Sequence, residues 1–180
     1  MATASNNVPS TILTEKMNEV KAVSMDEPAA DHLATIDWQR GAWSDKKGKY
    51  SRQHTWVLAG TKLKATETGA VTPAAYHDKT PIDPYNMSVA TVASAHMLTW
   101  LHMAFSIDVE VEQYLDRAYG VLTGLESGDC WISEVILHPK ITLKAGYEMT
   151  AATMAHLHEH VPEHCYIARS IRAKVTVRNV

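Results

Sequence analysis

Four of the ten histidines fall in one stretch, AHLHEHVPEHC, which ends at Cys165, one of only two cysteines in the chain. Imidazoles one helical turn apart can share a metal ion, and His156, His160 and His164 are spaced by four, so an unbroken helix would align them. Pro162 lies inside that run and disturbs the geometry. No carboxylate or cysteine cluster elsewhere completes a ligand set. A solvated or hydrogen-bonded histidine face is therefore preferred over a metal-binding module, and no metal is expected. Cys165 carries the second candidate chemistry. A helix begun at Pro162 would hold it in the first turn, with His160 and His164 before it and Arg169 one turn after, and such surroundings lower a thiol's pKa and make it a nucleophile. A core cysteine on an apolar stripe explains the same spacing equally well. Ser94, His96 and the helix-capping Asp83 make no catalytic triad, because side chains adjacent on a helix face different ways. Trp38, Trp43, Trp56, Trp100 and Trp131 read as core and interface anchors.

The element that must position these groups is the stretch 83–107, DPYNMSVATVASAHMLTWLHMAFSI. From Tyr85 to Ile107 it holds no Asp, Glu, Lys or Arg. Apolar residues come round on every face, so this helix is expected to be buried and not to lie on a surface. Asp83 is a good N-cap and Pro84 suits the first helical position. A bilayer span needs about 20 apolar residues, but Asn86, two histidines and five Ser/Thr interrupt the run, and no Lys/Arg cluster flanks it. A core helix is the better reading. Ser88, Thr91, Ala95, Thr99, His102 and Ser106 recur at spacings of three and four, a weakly polar stripe on one face that marks the first place to look for a site.

With 180 residues and a net charge of -3, one domain with a sizeable core is expected, and nothing in the charge favours nucleic acid or anionic lipid. The first residues lack the basic and apolar regions of a secretory signal, and two cysteines make no disulfide framework, so a cytoplasmic setting is expected. Residues 1–30 read as an N-terminal arm and linker, and 31–180 as the domain. Strands are expected over 33–39, 49–59 and 61–66. After the long helix come two long strands, 109–122 and 130–143, then a helical region over 148–170 broken at Pro162. A half-buried strand closes the chain, with Ile171, Ala173, Val175 and Val177 alternating with polar residues. The class is α+β, in the order β-β-β-α-β-β-α-β.

The two helical segments, DPYNMSVATVASAHMLTWLHMA and HEHVPEHCYIARSI, together resemble the OsmC/Ohr family of hydroperoxide-resistance proteins, in the branch whose long helix reads DPEE...SSCHMLxFL and whose second motif reads AHxxCFIAxS. YSRQHTW from Tyr50, VEQYLDRAYG around Tyr114 and WISEVILHPKITL from Trp131 add to the match, which runs from Thr35 to Val177. The resemblance implies an OsmC-like, intertwined homodimer whose sheets wrap the central helices, with sites at the interface and no cofactor. It also implies a thiol peroxidase, in which one cysteine of the long helix attacks an organic hydroperoxide and the resulting sulfenic acid condenses with a second cysteine. An arginine held by a glutamate keeps the first thiol ionised, and a dithiol partner reduces the disulfide.

Carried over by position, the reactive cysteine falls on Ala95 and the glutamate on Tyr85, while the second cysteine is kept as Cys165. The arginine is Arg40 or Arg52. Tyr85 and Ala95 are nearly three turns apart, so both changes can line one face of the helix. The resemblance therefore implies a divergent homodimer without the two-cysteine cycle. It would keep an interfacial pocket for a small hydroperoxide or apolar ligand, lined by Tyr85, Ala95, His96, His54, Arg52, His160 and His164 around Cys165. A peroxidase using Cys165 alone, with an external dithiol reductant, is the alternative, so the sequence leaves the choice between binding protein and enzyme open.

Overall fold

The structure is a computed structural model that describes residues 34–39, 52–66 and 82–178. The expected N-terminal arm, Arg40, Trp43 and the loop before the long helix lie outside the described residues. Contacts divide the described chain into two units, one ending at Ser88 and one beginning at Val89.

The first unit is an antiparallel meander of β1 (Ala34–Asp37), β2 (His54–Leu58) and β3 (Thr61–Ala65), in that spatial order. Trp56 pairs with both Ile36 and Leu63. Leu58 pairs with Thr61, so only two residues close the β2–β3 hairpin, and both have positive φ, 46° at Ala59 and 82° at Gly60. That is the mirror-image turn whose twist matches a right-handed strand pair, and Gly60 adopts it without Cβ strain. Beyond β3, the Thr66 N–H donates to the Ile82 carbonyl at 2.9 Å. Asp83 then starts helix α1 (Pro84–Ser106) as expected: its Oδ1 accepts the Tyr85 N–H at 2.7 Å and its carbonyl the Met87 N–H at 2.9 Å.

In the second unit the two expected long strands form one hairpin bent in the middle, so that each counts as two. β4 (Val111–Asp116) pairs antiparallel with β7 (Pro139–Leu143), and β5 (Tyr119–Thr123) with β6 (Trp131–Leu137). The bend falls where Pro139, lacking an N–H, opens β7. There the freed His138 N–H donates to Asp116 Oδ1 at 2.7 Å, and the His138 ring stacks on Tyr119 at 5.6 Å. The closing strand β8 (Lys174–Val177) lies parallel to β6, and Ile171, Ala173, Val175 and Val177 face the apolar cluster of Val92, Val135 and Leu137 as their alternation required. α1 approaches this sheet closely at Gly120, where a Cβ would sit 3.0 Å from Val89 Cγ2 and 3.2 Å from Ile132 Cγ2.

Helix α2 (Ala151–His164) is capped by Thr150, whose Oγ1 accepts the Thr153 N–H at 3.1 Å. It corrects one expectation. Pro162 does not break the helix but lies within its last turn, and the break comes at Cys165, followed by the short α3 (Tyr166–Ser170). The missing Pro162 N–H costs the one bond to the His158 carbonyl, and the last turn still closes through the Cys165 N–H and the Val161 carbonyl at 2.9 Å. α1 departs from expectation in another way. It buries Val92, His96, Trp100, Met103 and Ala104 on one side, but Leu98 is 62% and Phe105 73% exposed. One chain covers only one face of a helix that has no charged face. No helix among the described residues is long and apolar enough to cross a membrane.

Candidate functional site

Three hydroxyls of the polar stripe on α1 are turned back on the helix. Ser88 Oγ donates to the Pro84 carbonyl at 2.9 Å, Thr99 Oγ1 to the Ala95 carbonyl at 2.9 Å and Ser106 Oγ to the Met103 carbonyl at 2.7 Å. Such bonds satisfy the hydroxyl locally, as is common for Ser and Thr inside helices. The stripe therefore presents less free polarity than its residue types suggest.

The polar chemistry of the second unit lies one residue round from Ala95. His96 is buried, and its Nε2 shares a hydrogen bond of 2.8 Å with Nδ1 of buried His158 on α2. The two rings stack with centroids 5.2 Å apart and 13° between planes. His158 also stacks on Trp100, at 5.3 Å and 27°, and Trp100 packs against the Tyr114 ring of β4 at 5.9 Å. Burial pushes the His96 pKa down to about 4, and burial together with the neighbouring His96 pushes His158 down to about 3. Both rings are neutral at neutral pH, so one donates and the other accepts. Burial, aided by Asp116, also raises the Tyr114 phenol far above its usual range. The Trp100 indole N–H, the Tyr114 hydroxyl and His158 Nε2 are buried and have no hydrogen-bond partner among the described residues.

His158 does not belong to the set that spacing by four selects, His156, His160 and His164. Its position carried a signal all the same. It follows Leu157 and precedes Val161 by three residues, on the side of α2 that the apolar stripe buries. His156 and His160 stand elsewhere on the helix: their rings are tilted at 4.1 Å, and His160 Nδ1 donates to the His156 carbonyl at 2.9 Å. Among the described residues, no group of three or more His, Cys, Asp or Glu is arranged to hold a metal ion. His156, His160 and His164 lie on successive turns of one helix, and no ligand from a second element joins them among the described residues.

Cys165 is 3% exposed and joins two helices. Its N–H donates to the Val161 carbonyl at 2.9 Å, closing α2, while its Sγ accepts the Ala168 N–H at 3.5 Å, opening α3. The thiol thus occupies an N-cap, one position before the first turn where the sequence had placed it. It belongs to an apolar cluster with Trp100, Met103, Leu157 and Val161, and Ala95 packs against that same cluster. Ala95, His96 and Cys165 are therefore brought to one region of the second unit. His160 and His164 are half-buried on α2. His54, Arg52 and Tyr85 belong to the first unit. There His54 Nδ1 donates to the Arg52 carbonyl at 2.8 Å, its ring is 6.1 Å from Trp56, and Tyr85 is 42% exposed.

No protein-family model matches the sequence, and no curated protein matches it significantly. Solved structures do. An OsmC-like protein of unknown function from Vibrio cholerae is 29% identical, with a TM-score of 0.74 over 84% of this chain and 99% of that one. The organic hydroperoxide resistance protein OsmC from Legionella pneumophila is 16% identical, with a TM-score of 0.56 over 84% of this chain and 96% of its own. The organic hydroperoxide resistance protein OhrB of Bacillus subtilis is also 16% identical, with a TM-score of 0.54, over 81% and 94%. The latter two share the fold. The first shares sequence as well, over nearly its whole length, and with the motifs of both helices this makes the chain a member of the OsmC/Ohr family.

Proposed function

We propose that this chain is a divergent member of the hydroperoxide-resistance family that does not run a two-cysteine peroxidase cycle and keeps a pocket for a small, partly apolar molecule. One observation carries the reading: Ala95, on the position where the family resemblance expects the reactive thiol, packs against the cluster that holds Cys165. In the two-cysteine cycle a thiolate takes the distal oxygen of the hydroperoxide, releasing the alcohol and forming a sulfenic acid. A second thiol then displaces that oxygen as water and closes a disulfide. With Ala95 there is no first sulfur to oxidise, and Tyr85 stands where the glutamate would hold the arginine. Burial of Cys165 argues against the second reading, a peroxidase using that thiol alone.

The proposal includes a domain over 31–180 and a homodimer. The charge-free face of α1 carrying Leu98 and Phe105 supports association, since exposed apolar area of this kind marks an interface. It also includes a cytoplasmic setting, in keeping with two free thiols. The test is consumption of cumene hydroperoxide by the reduced protein with dithiothreitol as reductant, for the parent, Ala95→Cys and Cys165→Ala. An inert parent with activity gained in Ala95→Cys is expected. Turnover by the parent that disappears in Cys165→Ala would replace this reading with the one-cysteine peroxidase.

A further inference from the structure

The His96–His158 pair is separate from the chemistry above and asks for its own explanation. We infer that it is an acid-operated latch between α1 and α2, whose protonation releases α2 and exposes the Cys165 thiol. Three features of the geometry lead there. A hydrogen bond between two imidazoles needs one N–H and one lone pair, and a doubly protonated pair would aim two N–H groups at each other across 2.8 Å. Among the described residues no anionic side chain hydrogen-bonds to the pair. Trp100 of α1 offers a ring face and an N–H donor, and packs in turn against the Tyr114 ring of β4. On α2 itself, Glu159 is exposed, and His156 and His160 engage each other. Asp116 of β4 accepts the His138 N–H, and no carboxylate bonds to either ring among the described residues.

The third feature links the pair to the thiol. Leu157, Val161 and Cys165 follow one another at spacings of four along the buried side of α2, and all three share a cluster with Trp100. His158 sits beside Leu157 and stacks on the same Trp100. Pulling His158 from its seat therefore loosens the packing that hides Cys165, two turns further on. The lowered proton affinity of both rings agrees with a pair that is closed at neutral pH. The inference does not depend on any peroxidase activity.

The test uses the full chain carrying Cys130→Ser, which leaves Cys165 as its one thiol. Labelling by 4,4′-dithiodipyridine, which stays reactive in acid, is followed at pH 7, 6 and 5 and divided by the rate for the same chain unfolded in urea at each pH. The relative rate is expected to rise at least tenfold from pH 7 to 5, and to depend far less on sub-denaturing urea than global unfolding does. In His96→Leu/His158→Leu it is expected to be flat with pH. A flat profile in the parent chain overturns the latch. So does a rise whose urea dependence equals that of global unfolding, a readout that stands even where the double variant does not fold.

Discussion

Acid should destabilise this protein well above the range where carboxylates titrate. Ordinary histidines in the unfolded chain take up protons near pH 6.5, whereas His96 and His158 in the fold resist protonation down to about 4 and about 3. A group whose folded pKa is depressed in this way leaves the unfolded state binding more protons below pH 6.5. Stability is therefore full above that pH and falls as pH drops towards the folded values, by about 1.4 kcal/mol per pH unit for each ring. Between pH 7 and 5 each histidine contributes a loss of about 2 kcal/mol, and the pair about 4 kcal/mol. For a chain of this size that is a fall in Tm of roughly 10 °C. Asp116, whose pKa burial raises, acts in the opposite sense, with its window at the acid end. Thermal unfolding followed by circular dichroism at pH 7, 6 and 5 reads the effect. Replacing both rings together, as His96→Leu/His158→Leu, removes the titration without leaving one buried partner unpaired, and the profile should flatten. An unchanged Tm between pH 7 and 5, or the same fall in the double variant, would refute the reasoning.

Two further outcomes follow from the packing. Leu157→Ala removes a fully buried side chain from the α1–α2 cluster, and should cost about 2–5 kcal/mol in urea unfolding with little change in the m-value. Phe105→Glu places a charge on the uncharged outer face of α1. In sedimentation velocity it should shift the proposed homodimer towards monomer while leaving the far-ultraviolet circular dichroism intact, and a sedimentation coefficient equal to the parent's would mean that this face holds no dimer together.

Local chemistry made several elements legible in the sequence alone. The start of α1 follows from an aspartate that caps and a proline that needs no N–H partner, and both act within one turn. β8 was legible because alternation with period two states which side is buried. The long hairpin was legible as two apolar runs about a turn-rich segment. Its bend was not, because that depends on Asp116 meeting the His138 N–H from across the hairpin. Pro162 misled in the same way: a proline near a helix end costs little, and its effect depends on what the last turn packs against.

The chemistry-bearing residues divide along the same line. The expectation that Ala95 and Cys165 occupy the family's two cysteine positions came from the motifs, since a family motif is local in sequence. That Ala95 and Cys165 share one apolar cluster, that three stripe hydroxyls bond to their own helix, and that His96 meets His158 across 62 positions were decided by the packing of α1 on α2. Helical spacing tells which residues share a face. It carries no information about which face of another helix arrives opposite, and that is where burial takes the charge from two histidines and pairs them with each other by a hydrogen bond.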